Sequence, residues 1–223
     1  SYNNILFGLR YLRGGADGLF HEFQGNEIIR NLYEYNFYNA FRGGEDVYYF
    51  MPGLRYFIAI SKIIFGDTSY GYVIICFLLP IFLFELFKNL ISEKISFFIL
   101  ILFLILPIFE NMGFGYFNYI HQIVRNHPET LSIMIIIYCL SKISAPNFLI
   151  NLNNINVFWF CFLLSFATFC RPNFLPTTTI IFIYILYLSI NKNYILSLLA
   201  IIGYSFVFLG LLHNIYFGDN FSL

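Results

Sequence analysis

Long apolar runs separated by short polar joints dominate this chain. Six stretches qualify: residues 70–87, 95–109, 130–143, 155–170, 174–190 and 194–212. A helix that crosses a bilayer needs about 20 mostly apolar residues. Several of the six are shorter, so they must borrow flanking aromatics or thin the bilayer locally. Strict alternation of apolar and polar residues is absent, which argues against a membrane β-barrel.

Ahead of these runs the pattern changes. Residues 27–41 carry Ile28, Ile29, Leu32, Tyr33, Phe37 and Phe41 at near-helical spacing, with Arg30, Asn31 and Glu34 on the other face. Residues 53–65 place Leu54, Phe57, Ile58, Ile60, Ile64 and Phe65 around Arg55 and Lys62. Both read as amphipathic helices lying in the membrane interface. Paired glycines, paired acids and a Pro-Gly signal make the stretch from Arg42 to Gly53 a loop. The pattern therefore predicts an all-α fold, a polytopic transmembrane helical bundle. Residues 1–68 form an external, periplasmic loop segment with interfacial helices, and residues 69–223 form a transmembrane region of about six spans.

Composition sharpens this. Charged residues are 11% of the chain, against roughly a quarter in soluble domains. Aromatics reach 22% and mean hydropathy is +0.73. A water-soluble domain of this size could not cover so much apolar surface, whereas lipid removes the need. The formal net charge of zero leaves no electrostatic case for nucleic acid. Cys76, Cys139, Cys161 and Cys170 all fall in apolar runs and read as small buried hydrophobes, with no spacing for a metal site or disulfide framework. The chain opens on Ser1 without a signal peptide and stops at Leu223 just after a helix, so it reads as an internal piece of a longer protein.

Orientation follows from the basic residues of the short joints. One set of loops holds Lys88, Lys94, Lys142 and Lys192, and the other holds Arg125 and Arg171. The Lys-bearing loops are expected on the cytoplasmic side. Residues 10–68, 111–126, 171–173 and 213–223 then lie outside.

The candidate chemistry gathers in those outer segments. Asp17 stands among Gly14, Gly15, Ala16 and Gly18, beside His21 and Glu22. Small neighbours let a bulky polar ligand approach the backbone, and the same residues also suit a plain Asp-Gly turn. Glu45 and Asp46, followed by Tyr48, Tyr49 and Phe50, suit a polyol, since carboxylates accept hydroxyl hydrogen bonds and rings stack on sugar C–H faces. They equally suit a solvated loop with an aromatic belt. Glu129, after Pro128, caps a helix start or meets a ligand there. Arg125 and His127 could hold a phosphate at the same helix start. Arg171 sits at the membrane edge, where it either contacts a lipid-linked phosphate or snorkels to the interface. His213, Asn214, Tyr216 and Asp219 close the chain without a local signature. Asn220-Phe221-Ser222 matches a glycosylation pattern by chance. Glu85 is expected to reach Lys88 at i+3.

Together, Gly15-Ala16-Asp17-Gly18, Arg42-Gly43-Gly44-Glu45-Asp46, Met51-Pro52-Gly53-Leu54-Arg55-Tyr56, His127-Pro128-Glu129, Arg171-Pro172-Asn173 and Asn214-Ile215-Tyr216-Phe217-Gly218 resemble, in order and sidedness, the multi-span GT-C-type glycosyltransferases. These are the membrane enzymes related to protein O-mannosyltransferases and aminoarabinose transferases. The resemblance implies a sugar donor on a polyprenyl phosphate, and a glycan, lipid or protein acceptor. It places the enzyme in the bacterial inner membrane with its site facing the periplasm. Asp17 matches the family's acidic residue in the first loop, although the family often shows Asp-Glu there and this chain has Gly18. Asp46 is the second candidate base. Glu22, Glu45, Tyr49, Arg55, Arg125, His127, Glu129, Arg171 and His213 are expected to bind substrate. No dedicated metal cage is visible, and need for a divalent metal stays open. The rival readings are a transporter or flippase-like protein and a non-catalytic membrane assembly subunit. Transporters carry broken helices and mid-membrane polar groups, whereas the polar residues here gather at the outer ends of the spans.

Overall fold

A computed structural model describes residues 16–43, 52–106, 116–148 and 152–218. Helix α1 spans Ala16–Tyr33, and the short helix α2 spans Phe37–Arg42. The expected helix over residues 27–41 thus starts earlier and breaks in the middle. Tyr35 takes a left-handed φ of 56°, and the Asn36 side chain accepts from the Asn39 backbone N–H, capping α2. Gly43, at φ 78°, then ends α2. Gly18 and Gly25 do not break α1, because they serve packing. A Cβ on Gly18 would lie 1.5 Å from the Arg125 carbonyl oxygen, and one on Gly25 would lie 2.8 Å from Ile58 Cγ2.

Helix α3 runs Gly53–Phe65, as the spacing predicts. Helices α4 (Tyr70–Cys76) and α5 (Leu79–Leu90) are one apolar rod interrupted by a short turn. The Tyr119 hydroxyl donates to the Cys76 carbonyl at that interruption, 2.8 Å away. Then follow α6 (Glu93–Ile105), α7 (Tyr116–Val124), α8 (Pro128–Ile143) and α9 (Asn154–Cys170). A 3-10 turn at Pro172–Phe174 leads into α10 (Leu175–Lys192), α11 (Tyr194–Ser205) and α12 (Val207–Gly218). No strand occurs among the described residues.

Three rods are long and apolar enough to cross a membrane: Tyr70–Leu90, Pro172–Lys192 and Tyr194–Gly218, of 21, 21 and 25 residues. At 1.5 Å per residue each matches the hydrocarbon thickness of roughly 30 Å. The other expected spans form shorter helices, with 13 residues in α6, 16 in α8 and 17 in α9. Helix α9 is central, packing on α8, α10 and α11. Its approach to α11 is close because Gly203 carries no side chain: a Cβ there would lie 2.6 Å from the Phe158 carbonyl oxygen. Small residues permit such backbone contact between membrane helices.

The distribution of polarity is the reverse of a soluble protein's. Ser132, Ser165, Thr168, Thr178 and Ser189 are buried, while Ile155, Ile180, Ile183, Ile190 and Tyr194 face outward. The buried hydroxyls find carbonyls or one another. Ser132 donates to the Ala167 carbonyl, and Thr168 and Thr178 share a hydrogen bond of 2.6 Å. The same inversion holds in the first segment. Arg55 and Lys62, expected on the watery face of α3, are both buried, and Ile60, Ile63, Ile64 and Phe65 are exposed. The physical reason is α1, which lies along α3 and turns its own His21, Glu22, Gln24 and Asn31 inward.

The bundle has two chemically different ends. At one, Lys142 pairs with Glu85 at 2.7 Å, Lys88 pairs with Glu93 at 3.3 Å, and Lys192 donates to the Leu152 carbonyl. The expected partner of Glu85 was Lys88. The facing helix α8 instead brings Lys142 against the carboxylate, and Lys88 turns to Glu93 at the start of α6. At the other end stand Arg125, His127, Glu129, Arg171, Arg55 and His213.

Candidate functional site

Local sequence fixes the backbone at this second end. Asn126 adopts φ 52°, a left-handed conformation Asn tolerates, and reverses the chain between α7 and α8. His127 is extended because Pro128 follows it, and Pro128 opens α8. Glu129 then lies in the first turn, where a carboxylate is favoured by the helix dipole. Arg171 is extended for the same reason, preceding Pro172, so α9 stops there and its side chain is free to turn.

These two breaks meet. Arg171 Nη2 lies 2.9 Å from Glu129 Oε1, and His127 Nδ1 lies 3.7 Å from Glu129 Oε2. All three side chains are partly exposed. The His127 carbonyl is held from beneath, accepting from the hydroxyls of Tyr72 at 2.6 Å and Thr130 at 2.7 Å. The first turn of α8 is thus anchored on α4, and the Glu129–Arg171 pair above it is partly exposed.

Helix α3 enters the site by its N-terminus. A Cβ on Gly53 would lie 2.6 Å from the Phe169 carbonyl oxygen, two residues before Arg171. Two residues into α3, Arg55 is fully buried. It donates from Nη1 to the Gly43 carbonyl at 3.3 Å and lies over the Phe20 ring at 5.4 Å. Burial pulls its guanidinium down to about 10, which leaves it charged at neutral pH. Burial raises the Tyr56 hydroxyl to about 12, so it stays a donor, and it gives its proton to the Phe41 carbonyl. His213 of α12 closes the arrangement. Its Nε2–H donates to the carbonyls of Phe41 and Arg42, at 3.1 and 3.2 Å. Arg55, Tyr56 and His213 therefore hold the last carbonyls of α2 and its cap.

Arg125, His127, Glu129, Arg171, Arg55 and His213 all come to one end of the bundle. Arg125 does so through its backbone, which abuts Gly18. Asp17 is placed by its backbone in the first turn of α1, next to this contact, and its side chain lies outside what the structure describes. Glu45, Asp46 and Tyr49 lie outside the described residues, as do Gly14, Gly15, Tyr48, Phe50 and Asp219. Glu22 sits apart, one to two turns down the α1–α3 seam, with its carboxylate 3.2 Å from Lys62 Nζ. Tyr56, Tyr72 and Thr130 enter the architecture without having been singled out as site residues. Tyr56 sits in the quoted Pro-Gly-Leu-Arg-Tyr motif, but the hydroxyls of Tyr72 and Thr130 carried no signal inside an apolar run.

Among the described residues, no group of three or more His, Cys, Asp or Glu is placed to hold a metal ion. The four cysteines are buried and free. What the arrangement offers is one carboxylate, Glu129, flanked by Arg171 and His127, at the same end of the bundle as the Arg55, Tyr56 and His213 donors that hold the end of α2. Comparison with protein-family models, with curated proteins and with solved structures returned no match.

Proposed function

We propose that this chain belongs to a GT-C-type membrane glycosyltransferase, which moves a sugar from a polyprenyl-phosphate donor to an acceptor at the outer face of the membrane. The observation that carries the reading is the gathering of Arg55, Arg125, His127, Glu129, Arg171 and His213 at one end of an apolar helical bundle, with Lys88, Lys142 and Lys192 at the other. A donor of this kind keeps its chain in lipid and its phosphate and sugar at the surface. A site for it must join cationic groups to a carboxylate at that boundary. In this reading six spans form a polytopic bundle, α1 to α3 lie in the interface of the outer leaflet, and the basic lysine end is cytoplasmic.

The reaction is a single displacement at the anomeric carbon. Asp17, or Asp46 in its place, accepts the proton of the acceptor hydroxyl. The acceptor oxygen forms its bond to the anomeric carbon as the bond to the phosphate oxygen breaks, and the polyprenyl phosphate leaves with the electron pair. Arg171 is tied to Glu129, so it serves this charge as one half of a neutral pair. A second cation, Arg125, stands at the same end of the bundle. Glu129 suits a sugar hydroxyl, since carboxylates accept hydrogen bonds in two directions.

The test is transfer from radiolabelled polyprenyl-phosphate sugars in membranes carrying the protein. Label passing to an acceptor supports the reading. Label crossing the bilayer still attached to its lipid would favour a flippase instead. That rival has some footing, because rods broken at Phe77–Leu78 and Phe206 are a transporter habit.

A further inference from the structure

The His127 carbonyl is held more firmly than a helix start needs. The Thr130 backbone N–H donates to it at 3.3 Å, closing the first turn of α8, and the Thr130 hydroxyl donates to it at 2.7 Å. A carbonyl oxygen has two lone pairs, so these two local donors already satisfy it. The Tyr72 hydroxyl adds a further bond, at 2.6 Å, from 55 positions away on α4. Tyr72 is 1% exposed, and its ring lies edge-on to Phe57 of α3 with centroids 6.5 Å apart. Packing therefore makes its oxygen a fixed point. The carbonyl it holds belongs to the peptide bond into Pro128, whose ring fixes the next φ. Holding that oxygen fixes the stem from which His127 and Glu129 both project. The Glu129 carboxylate then stands 3.7 Å from His127 Nδ1 and 2.9 Å from Arg171 Nη2.

We propose that Tyr72 is a positioning residue of the Glu129–Arg171 site. Its hydroxyl sets the direction of the His127–Pro128 peptide, and through it the place of the carboxylate that meets the donor's sugar. Tyr72 itself touches no substrate. What the carboxylate meets rests on the transferase reading; the geometry that Tyr72 imposes on it does not.

The test compares Tyr72→Phe with Tyr119→Phe. Tyr72→Phe removes one oxygen and strands no acceptor, because both Thr130 donors stay on the His127 carbonyl. Tyr119→Phe removes a second buried hydroxyl nearby, whose bonds go to the carbonyls of Cys76 and Thr130 and not to that of His127. In transfer from radiolabelled polyprenyl-phosphate sugars, Tyr72→Phe should lower kcat by about 10- to 100-fold, the scale of a misplacement near 1 Å. Tyr119→Phe should stay near the parent. In a Glu129→Gln background, Tyr72→Phe should cost little more, since the group it positions is gone. Equal losses in Tyr72→Phe and Tyr119→Phe would overturn the proposal, as would a Tyr72→Phe loss that is undiminished beside Glu129→Gln. A second readout needs no transfer. In protein labelled at the histidine ring carbons, the NMR line of His127, identified by its loss in His127→Gln, reports the neighbouring carboxylate. Tyr72→Phe should move that line towards its position in Glu129→Gln, and Tyr119→Phe should leave it in place. An unmoved line in Tyr72→Phe overturns the proposal and leaves the transferase reading standing. A line that moves as expected in a parent without transfer activity upholds the positioning and removes the transferase reading.

Discussion

Replacing Lys62 by Met removes the cation at the centre of the α1–α3 seam. Its ammonium has three N–H donors and meets three acceptors: Glu22 Oε1 at 3.2 Å, Asn26 Oδ1 at 2.7 Å and Asp67 Oδ1 at 2.9 Å. The Lys62 and Glu22 side chains are 2% and 9% exposed, whereas Asp67 is 65% exposed. Asp67 can therefore return to water when the lysine goes, and Glu22 cannot. At 3.2 Å and an effective dielectric near 20, the Lys62–Glu22 attraction is about 5 kcal/mol. Most of that offsets the desolvation of the two ions, so the pair as a whole contributes little. Removing one partner is a different matter, since it strands a buried charge at a cost of about 3–5 kcal/mol. Lys62→Met is thus expected to destabilise by that amount, while Lys62→Met with Glu22→Leu should come within about 1 kcal/mol of the parent. The measurement is reversible unfolding in mixed micelles, followed by circular dichroism against the denaturing detergent fraction. A double variant as unstable as the sum of the singles would refute the reasoning, because it would mean the two residues act independently. The same double variant separates two roles for Glu22. Transfer activity retained with stability restored marks it as a structural anchor, and activity lost with stability restored marks it as a contact to substrate.

The remaining predictions address packing, sidedness and chemistry. Gly203→Ala should cost about 1–3 kcal/mol in the same unfolding assay, because its Cβ would meet the Phe158 carbonyl 2.6 Å away and overpack α9 against α11; a neutral effect would show that the two helices can separate freely. His121→Cys should react with an impermeant maleimide from outside, and Asn147→Cys only after permeabilisation, with the four native cysteines silent because they are buried; the opposite pattern reverses the assigned orientation. Asp17→Asn should lower sugar transfer by about 10²–10⁴-fold with membrane expression unchanged, and near-normal transfer in both Asp17→Asn and Asp46→Asn would remove both as the base.

Much of the helical layout was legible because apolar runs are hard to hide. Gly53–Phe65 has the expected bounds, and Pro128 and Pro172 mark real helix starts. The breaks at Tyr35 and Phe77 were not legible. The break at Phe77 meets a tertiary partner, the Tyr119 hydroxyl that donates to the Cys76 carbonyl, and a distant hydroxyl leaves no local trace, whereas the break at Tyr35 is a left-handed residue followed by the Asn36 cap. The partner of Glu85 was missed for a related reason. Spacing within a helix points to Lys88, but Lys142 arrives from 57 residues away. At the site, the outer-end motifs could be grouped by their order along the chain. The pairing of Glu129 with Arg171 could not, since it depends on how α8 meets the end of α9.

The face of α3 carries the deepest lesson of this kind. A helical wheel separates Arg55 and Lys62 from Ile60, Ile63 and Ile64 but does not say which side meets solvent. In water the charged side faces out, because burying it costs several kcal/mol per ion. In contact with hydrocarbon, the apolar side can face out at no cost. The charged side then turns inward wherever a second polar face is available. Helix α1 supplies that face with Glu22 and Asn26, and the Gly43 carbonyl receives Arg55. The ions are not stranded, because each finds acceptors within the seam. A protein built this way in water would expose Leu19, Phe23, Ile60, Ile63, Ile64 and Phe65 while hiding its charges. Both choices would then be unfavourable. The inversion is what a segment would show if its outer surface lay against lipid, the placement proposed above for α1 to α3.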